Sequence, residues 1–367
     1  MRQLAPCVLV VVLAACSDSS TATPGPDASI DAAFDAAGES SADTGGPDAS
    51  DAADGKAAPC TLTDSPPIVV SADGQVIENL HIVASGALPA IKVNGKKNVV
   101  IRNVRIEHNS ASGIEIANAD GIKIENVSIE HTGAPPSGAN DSDARNNVDC
   151  YATPKMTIDG ARLTRGSSGI YLNQCAQAKL TRIEGYDFRG PFPRGQLVQF
   201  NTSDDGTLDG FSVVSGHTSW TEDNVNVYKS KNVTIRNGFI DGNNSPSGVG
   251  VIFDGDTASG LVEDVDAIHM GNGCFSNYAG ADGNTFRRVR CRENICTSQD
   301  GRGAPSSNAL MFCGKPAGTA NTKLEQGKYW ASCNGNVSWP APSFVALDLT
   351  QENFTPRAPI KVALCWE

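Results

Sequence analysis

From about residue 66 onward, short apolar strands alternate with Asn/Gly turns in a fixed register. Six times an apolar strand ends eight residues before the reference apolar position of the next: Val93 to Ile101, Ile116 to Ile124, Leu172 to Leu180, Phe200 to Leu208, Val227 to Ile235 and Phe253 to Leu261. The second strands IRNVRI (101–106), IENVSI (124–129), LDGFSV (208–213) and IRNGFI (235–240) each carry an Asn or Gly between apolar positions. Equivalent positions recur after 23 residues (Ile101 to Ile124) and 27 residues (Leu208 to Ile235). A period in the twenties built from short alternating strands predicts a β-solenoid with coils of about 22–28 residues. Alternation places Ile91/Val93, Ile114/Ile116, Ile170/Leu172, Val198/Phe200 and Val225/Val227 inward, so that like residues stack over like in an apolar column. Asn94, Asn173 and Asn201 fall together at the strand ends, and the sequon asparagines Asn126, Asn201, Asn232 and Asn336 read as turn residues rather than glycosylation sites.

The pattern is absent before residue 59. Residues 1–15 carry one positive charge, at Arg2, followed by an apolar run too short to span a bilayer, as in a secretory signal. Leu13-Ala14-Ala15-Cys16 resembles a bacterial lipobox, which implies lipid attachment at Cys16, a membrane contact through that lipid only, and an outer-membrane or cell-surface location. An ordinary signal peptide and a secreted protein stay open as the alternative. Residues 16–58 are Ala, Ser, Pro, Gly and acids with little to bury, an expected disordered tether. The tether also supplies most of the formal net charge of −12, so the remaining domain is only mildly acidic and no nucleic-acid partner is indicated.

Nine cysteines remain after Cys16, and in an exported chain most of them are expected in disulfides whose pairing the sequence leaves open. Residues 59–296 form the expected solenoid. Residues 297–367 break the repeat, carry Trp330, Trp339 and Trp366, and are expected to cap its open end. The polar stretch 131–152 reads as a protruding loop.

Over about residues 66–296 the repeats resemble the all-β, right-handed parallel β-helix of the pectate-lyase and polygalacturonase superfamily. Residues 221–244 (TEDNVNVYKSKNVTIRNGFIDGNN) are similar to the polygalacturonase pattern NTDG-x-D…S-x-N-V-x-I…GDD, which implies acid catalysis at Glu222 and Asp223. Gly242-Asn243-Asn244 puts amides where that pattern has GDD, and an amide neither donates a catalytic proton nor acts as a base. Residues 189–194 (RGPFPR) match the R-x-P-x-x-R element of pectate lyases, which implies Arg189 as base, Arg194 beside it and calcium as the acidifying metal. Free arginine is always protonated, so by its own chemistry either side chain is a carboxylate clamp.

Counted back from the strand ends, Arg189, Arg194, His217 and Glu222 fall at one edge of neighbouring coils, with Trp220 as a sugar-stacking platform and Asn243 as a further substrate contact. Asp204, Asp205, Asp254 and Asp256 could ligate calcium, the one cofactor candidate, or could simply be turn aspartates. Two readings follow: β-elimination on a uronate-containing polysaccharide, or a non-catalytic β-helix that binds glycan or contributes structure at the envelope.

Overall fold

A left-handed residue recurs at one stacked position of the long-strand sheet in coil after coil. Asn79, Asn103, Asn126, Gly160, Arg182, Gly210, Asn237, Asp264, Arg288 and Gln326 all have φ between 49° and 77° and lie above one another within the longer strands. Asn and Gly tolerate this region best. A single such residue bends the strand without interrupting the stack, and the Asn103 amide donates to Asn79 Oδ1 at 3.1 Å. The Asn/Gly of the repeat is therefore this bend. Asn126 (φ 51°) and Asn232 (φ 56°) are left-handed turn residues, whereas Asn201 closes the strand Val198–Asn201 and donates to the Tyr171 hydroxyl at 2.9 Å.

The computed structural model describes residues 59–134, 145–190, 194–216, 221–243, 248–278, 280–292, 309–314, 321–338 and 344–367. Cys16, the signal, the tether, His217, Trp220 and Asn244 lie outside them. The described residues form two sheets of parallel strands in which every coil contributes to both. Bent strands such as Val100–His108, Lys123–His131 and Thr234–Asn243 make a 13-stranded sheet. Short strands such as Ile114–Ala117, Val148–Tyr151, Ile170–Asn173, Val198–Asn201, Val225–Tyr228 and Val249–Asp254 make a 10-stranded one. The predicted inward pairs are all buried, in unbroken register from Ile91 to Phe253. Towards the C-terminal end the interior changes from Ile and Val to an edge-to-face ladder of Phe253, Phe286, Phe312 and Phe344.

Two expectations change. The stretch 131–152 is not all loop: His131 ends a long strand and Val148–Tyr151 is a regular short one. The repeat also continues beyond residue 296, because Phe312–Gly314 joins the short-strand sheet and Thr322–Trp330 the long-strand sheet.

The last residues run back along the outside as a strap. Phe354 O accepts from Arg292, the Arg357 backbone N–H and guanidinium meet Asp266, Ile360 O accepts from Ser212, and Val362 is held by Glu184 and Arg162. Glu184 and Asp266 are buried on the face that the strap crosses. The strap ends in a disulfide from Cys365 to Cys60, so it locks both ends of the solenoid together. Cys150–Cys175 links two neighbouring coils, and Cys274–Cys291 joins the two sheets within one coil.

Candidate functional site

Side chains that alternate away from the core of the short-strand sheet stack in two rows. The first runs Glu115, Asp149, Tyr171, Gln199, Asn226, Ile252, and the second Tyr151, Asn173, Asn201, Tyr228, Asp254. The segments that lead into these strands form a wall along the first row. Gly195 (φ 106°) and Gly248 allow them to approach: a Cβ on Gly195 would meet Thr221, and one on Gly248 would overlap the Glu222 carbonyl. Glu222 N–H donates to Arg194 O at 3.0 Å, so Arg194–Gln196 and Thr221–Asp223 lie side by side, as the register predicts for Arg194 and Glu222.

Glu222 and Asp223 are the most perturbed carboxyl groups described. Burial, then the charges of Asp223 and Asp254, pushes Glu222 up to about 9, against a hydrogen bond from Gln196 Nε2 to its Oε2 at 3.2 Å. Burial also pushes Asp223 up to about 7, although its oxygens accept from Asn226 Nδ2 (2.9 Å) and Val249 N–H (3.1 Å). Like charges and low polarity keep a proton on this pair at neutral pH. Glu222 is half-buried and Asp223 is 3% exposed, so Glu222 is the member that can reach a ligand.

Arg194 lies half-buried with its guanidinium carbon 5.4 Å from the centroid of the Tyr171 ring, a cation–π contact on the first row. Its charge acts on Asp149, one coil from Tyr171. Asp149 is raised by burial, opposed by hydrogen bonds from Ser112 and Asn146 and by Arg194, and raised further by Glu115. Sequence reasoning passed over Asp149 because it sits in the stretch read as loop. Its signal was there: Val148 and Cys150 alternate inward in register with Ile170 and Leu172, which turns Asp149 outward beside Tyr171.

The other candidates separate. Arg189 is only 6% exposed, with its N–H on Gly166 O at 3.2 Å, so the two arginines of R-x-P-x-x-R occupy different depths. Asn243 is interior: after Gly242 (φ 91°) its amide turns under the wall and donates to the carbonyls of Glu222 (3.4 Å) and Val249 (3.5 Å). It carries the backbone of Glu222 rather than facing solvent. Asp241, two residues earlier and across Gly242, lies on the long-strand face and bonds His269 Nδ1 at 2.7 Å.

The aspartates considered for calcium sit at the other end of the short strands. Asp204 accepts from Lys231 N–H (2.8 Å), left-handed Asp205 from Asn232 Nδ2 (3.0 Å) and Asp254 from Gly255 N–H (2.6 Å), all turn contacts, while Asp256 is exposed. Among the described residues no group of three or more His, Cys, Asp or Glu is spaced to hold a metal ion.

Residues 60–189 match the family model described as right handed beta helix region. No curated protein matches the chain by sequence. Among solved structures the chain is similar to PfbA, a surface adhesin of Streptococcus pneumoniae, with 12% identity, 82% of this chain and 74% of that one covered, and a TM-score of 0.51. The molecule is a right-handed parallel β-helix. Further similarities are to the endo-xylogalacturonan hydrolase of Aspergillus tubingensis (9% identity, 80% and 88% covered, TM-score 0.47) and the A-module of the Azotobacter vinelandii mannuronan C-5 epimerase AlgE6 (11%, 79% and 91%, 0.47).

On this β-helix the wall and the two rows offer a proton donor, a fixed cation, aromatic faces and amides along one surface. That combination can bind a hydroxyl-rich or acidic polymer lengthwise and protonate one of its oxygens.

Proposed function

We propose that the chain binds a uronate-containing polysaccharide along the outer face of the short-strand sheet and breaks it at Glu222. The observation that carries this reading is the Glu222–Asp223 pair, in which burial and like charge hold a proton at neutral pH. Breaking a glycosidic bond by elimination or by hydrolysis requires a proton for the leaving oxygen, and Glu222 is the half-buried member placed to give it. Arg194, braced on Tyr171, is the clamp for a uronate carboxylate. Tyr171 and Tyr228 supply half-exposed aromatic surface for sugar rings. Of the two chemistries we favour elimination: the clamp draws electrons from the carboxylate next to the carbon that gives up its proton to a solvent hydroxide ion, while Glu222 protonates the leaving oxygen and is reprotonated by water. Attachment through Cys16 belongs to the same proposal, since it would hold the enzyme where polymer is met.

A non-catalytic, glycan-binding role is the second reading. It is favoured by Asn243, an interior amide where a polygalacturonase-like site has an acid.

Pectate, alginate and glycosaminoglycans, each with and without calcium, separate the two. Turnover appears as ultraviolet absorbance from unsaturated ends, and Glu222→Gln should reduce it by about 100-fold or more while polymer binding persists. Binding without absorbance or new reducing ends establishes the second reading. A Glu222→Gln variant as active as the wild type removes Glu222 from the chemistry.

A further inference from the structure

We propose that Ser168 sets the direction of a hydrogen-bonded chain that joins the two acidic centres, so that Asp149 and Glu222 each receive an amide N–H. The chain runs across four coils, about 14 Å at one coil per strand spacing. Its interior members Asn146, Ser168 and Gln196 are fully buried, so water does not compete for them.

Two backbone donors dictate its polarity. The Ser168 N–H can only donate, and it meets Asn146 Oδ1 at 3.0 Å. The other end of that amide, Nδ2, must then face outward, and it donates to Asp149 Oδ1 at 2.6 Å. The Gly195 N–H donates to Ser168 Oγ at 3.2 Å, which leaves the hydroxyl proton for Gln196 Oε1 at 2.9 Å. Gln196 is thereby turned so that its Nε2 donates to Glu222 Oε2 at 3.2 Å. Asn146 cannot flip without setting its Nδ2 against the Ser168 N–H, and Gln196 cannot flip against an ionised Glu222 without setting its Oε1 against the carboxylate oxygen. Ser168 is thus a positioning residue that acts on Glu222 through Gln196.

The consequence is chemical. Glu222 is buried beside Asp223 and near Asp254 on the next coil, surroundings that favour holding the proton. An N–H donated by Gln196 favours the carboxylate, so the acid stays able to release the proton it carries. At the other end Asp149 receives Asn146 and Ser112 and lies in the fields of Arg194 and Glu115. The two ends depend on Ser168 through different atoms: Asp149 through the backbone N–H, Glu222 through the hydroxyl.

Ser168→Ala keeps the first atom and removes the second. Carboxyl carbon titrations by NMR on the folded protein without glycan should show Glu222 moving up by about one pH unit, a tenfold gain in proton affinity, with Asp149 unmoved. In the unmodified protein the Gln196 side-chain amide protons should follow the titration of Glu222, and those of Asn146 that of Asp149. This second measurement stands even if Ser168→Ala does not fold. The inference is overturned if Glu222 does not move in the variant, if both acids move together, or if the Gln196 amide ignores Glu222 in the wild type. The use made of Glu222 rests on the proposed function, but these titrations need no polymer, so a failure here is distinct from a failure of turnover.

Discussion

Two buried pairs of titratable groups occupy the same edge of the β-helix, where the long strands end and the short strands begin, and burial shifts His108 in one and the two acids of the other in opposite directions. In the N-terminal coils His108 and His131 stack at 4.9 Å with their rings 12° from parallel, both fully buried. His108 Nδ1 lies 2.7 Å from Ala111 O and its Nε2 3.2 Å from the Asn147 amide nitrogen. Those partners suit a ring protonated at Nδ1 alone, because a second N–H would point at an amide donor. Burial, with a contribution from His131, lowers His108 to about 4. In the C-terminal coils Glu222 and Asp223 are raised instead. Low polarity disfavours charge at both places, so the base loses its proton and the acids keep theirs. The difference that bears on function is access: both histidines are sealed in, whereas Glu222 is half-buried at the rim of a polar face.

The pairs therefore impose opposite pH dependence on stability. The unfolded chain binds more protons than the folded one at His108 between its ordinary pKa near 6.5 and about 4. His108 leaves stability intact above pH 6.5 and removes about 3 kcal/mol as the pH falls through that window. Urea melts of wild type and His108→Gln at pH 7 and 4.5 check this. The wild type should lose markedly more between the two pH values than the variant, and equal losses would place the acid sensitivity elsewhere.

At the acid pair the folded state binds the extra protons. Stability is intact near pH 4 and declines as the pH rises towards 9, because ionisation must occur in a buried site. A Glu222→Gln/Asp223→Asn double variant should melt more steeply in its resistance to alkali, gaining on the order of 2 kcal/mol over the wild type at pH 9 and little at pH 5. Parallel melting curves at both pH values would contradict the contrast between the pairs.

The fold was legible because coil after coil repeats the same solution: apolar pairs that alternate inward and a left-handed bend, filled by Asn or Gly in six of the ten coils where it is described. Ile101, Ile124, Leu208 and Ile235 stack as their spacing predicts. The candidate site was legible only where side chains follow that repeat. Arg194 and Glu222 are neighbours as predicted, since both lie in the short segments that lead into adjacent paired strands, four residues ahead of Val198 and three ahead of Val225. Arg189 and Asn243 departed from prediction because depth at a corner is set by local turns, such as Gly242 with φ 91°, and not by counting along the chain. The strap was invisible in sequence for a related reason. Cys365 gives no sign of its partner 305 residues away, and the contacts of Arg357 and Val362 with Asp266 and Glu184 obey no period.

Asp149 refines the contrast, because it is a buried acid with a cation nearby. Burial raises it, but Arg194 and two hydrogen bonds oppose the rise, whereas at Glu222 the charges of Asp223 and Asp254 add to the rise. If local charge rather than burial alone separates the two acids, Arg194→Gln should raise Asp149 by about half a pH unit and leave Glu222 where it is. The change is small because the guanidinium acts across partly exposed surface, where screening is strong. Carboxyl titrations at low and moderate salt provide the measurement, and the shift should shrink as salt is added. A shift of Glu222 equal to that of Asp149 would mean that Arg194 supports the whole wall through its stacking on Tyr171, and that its charge is incidental.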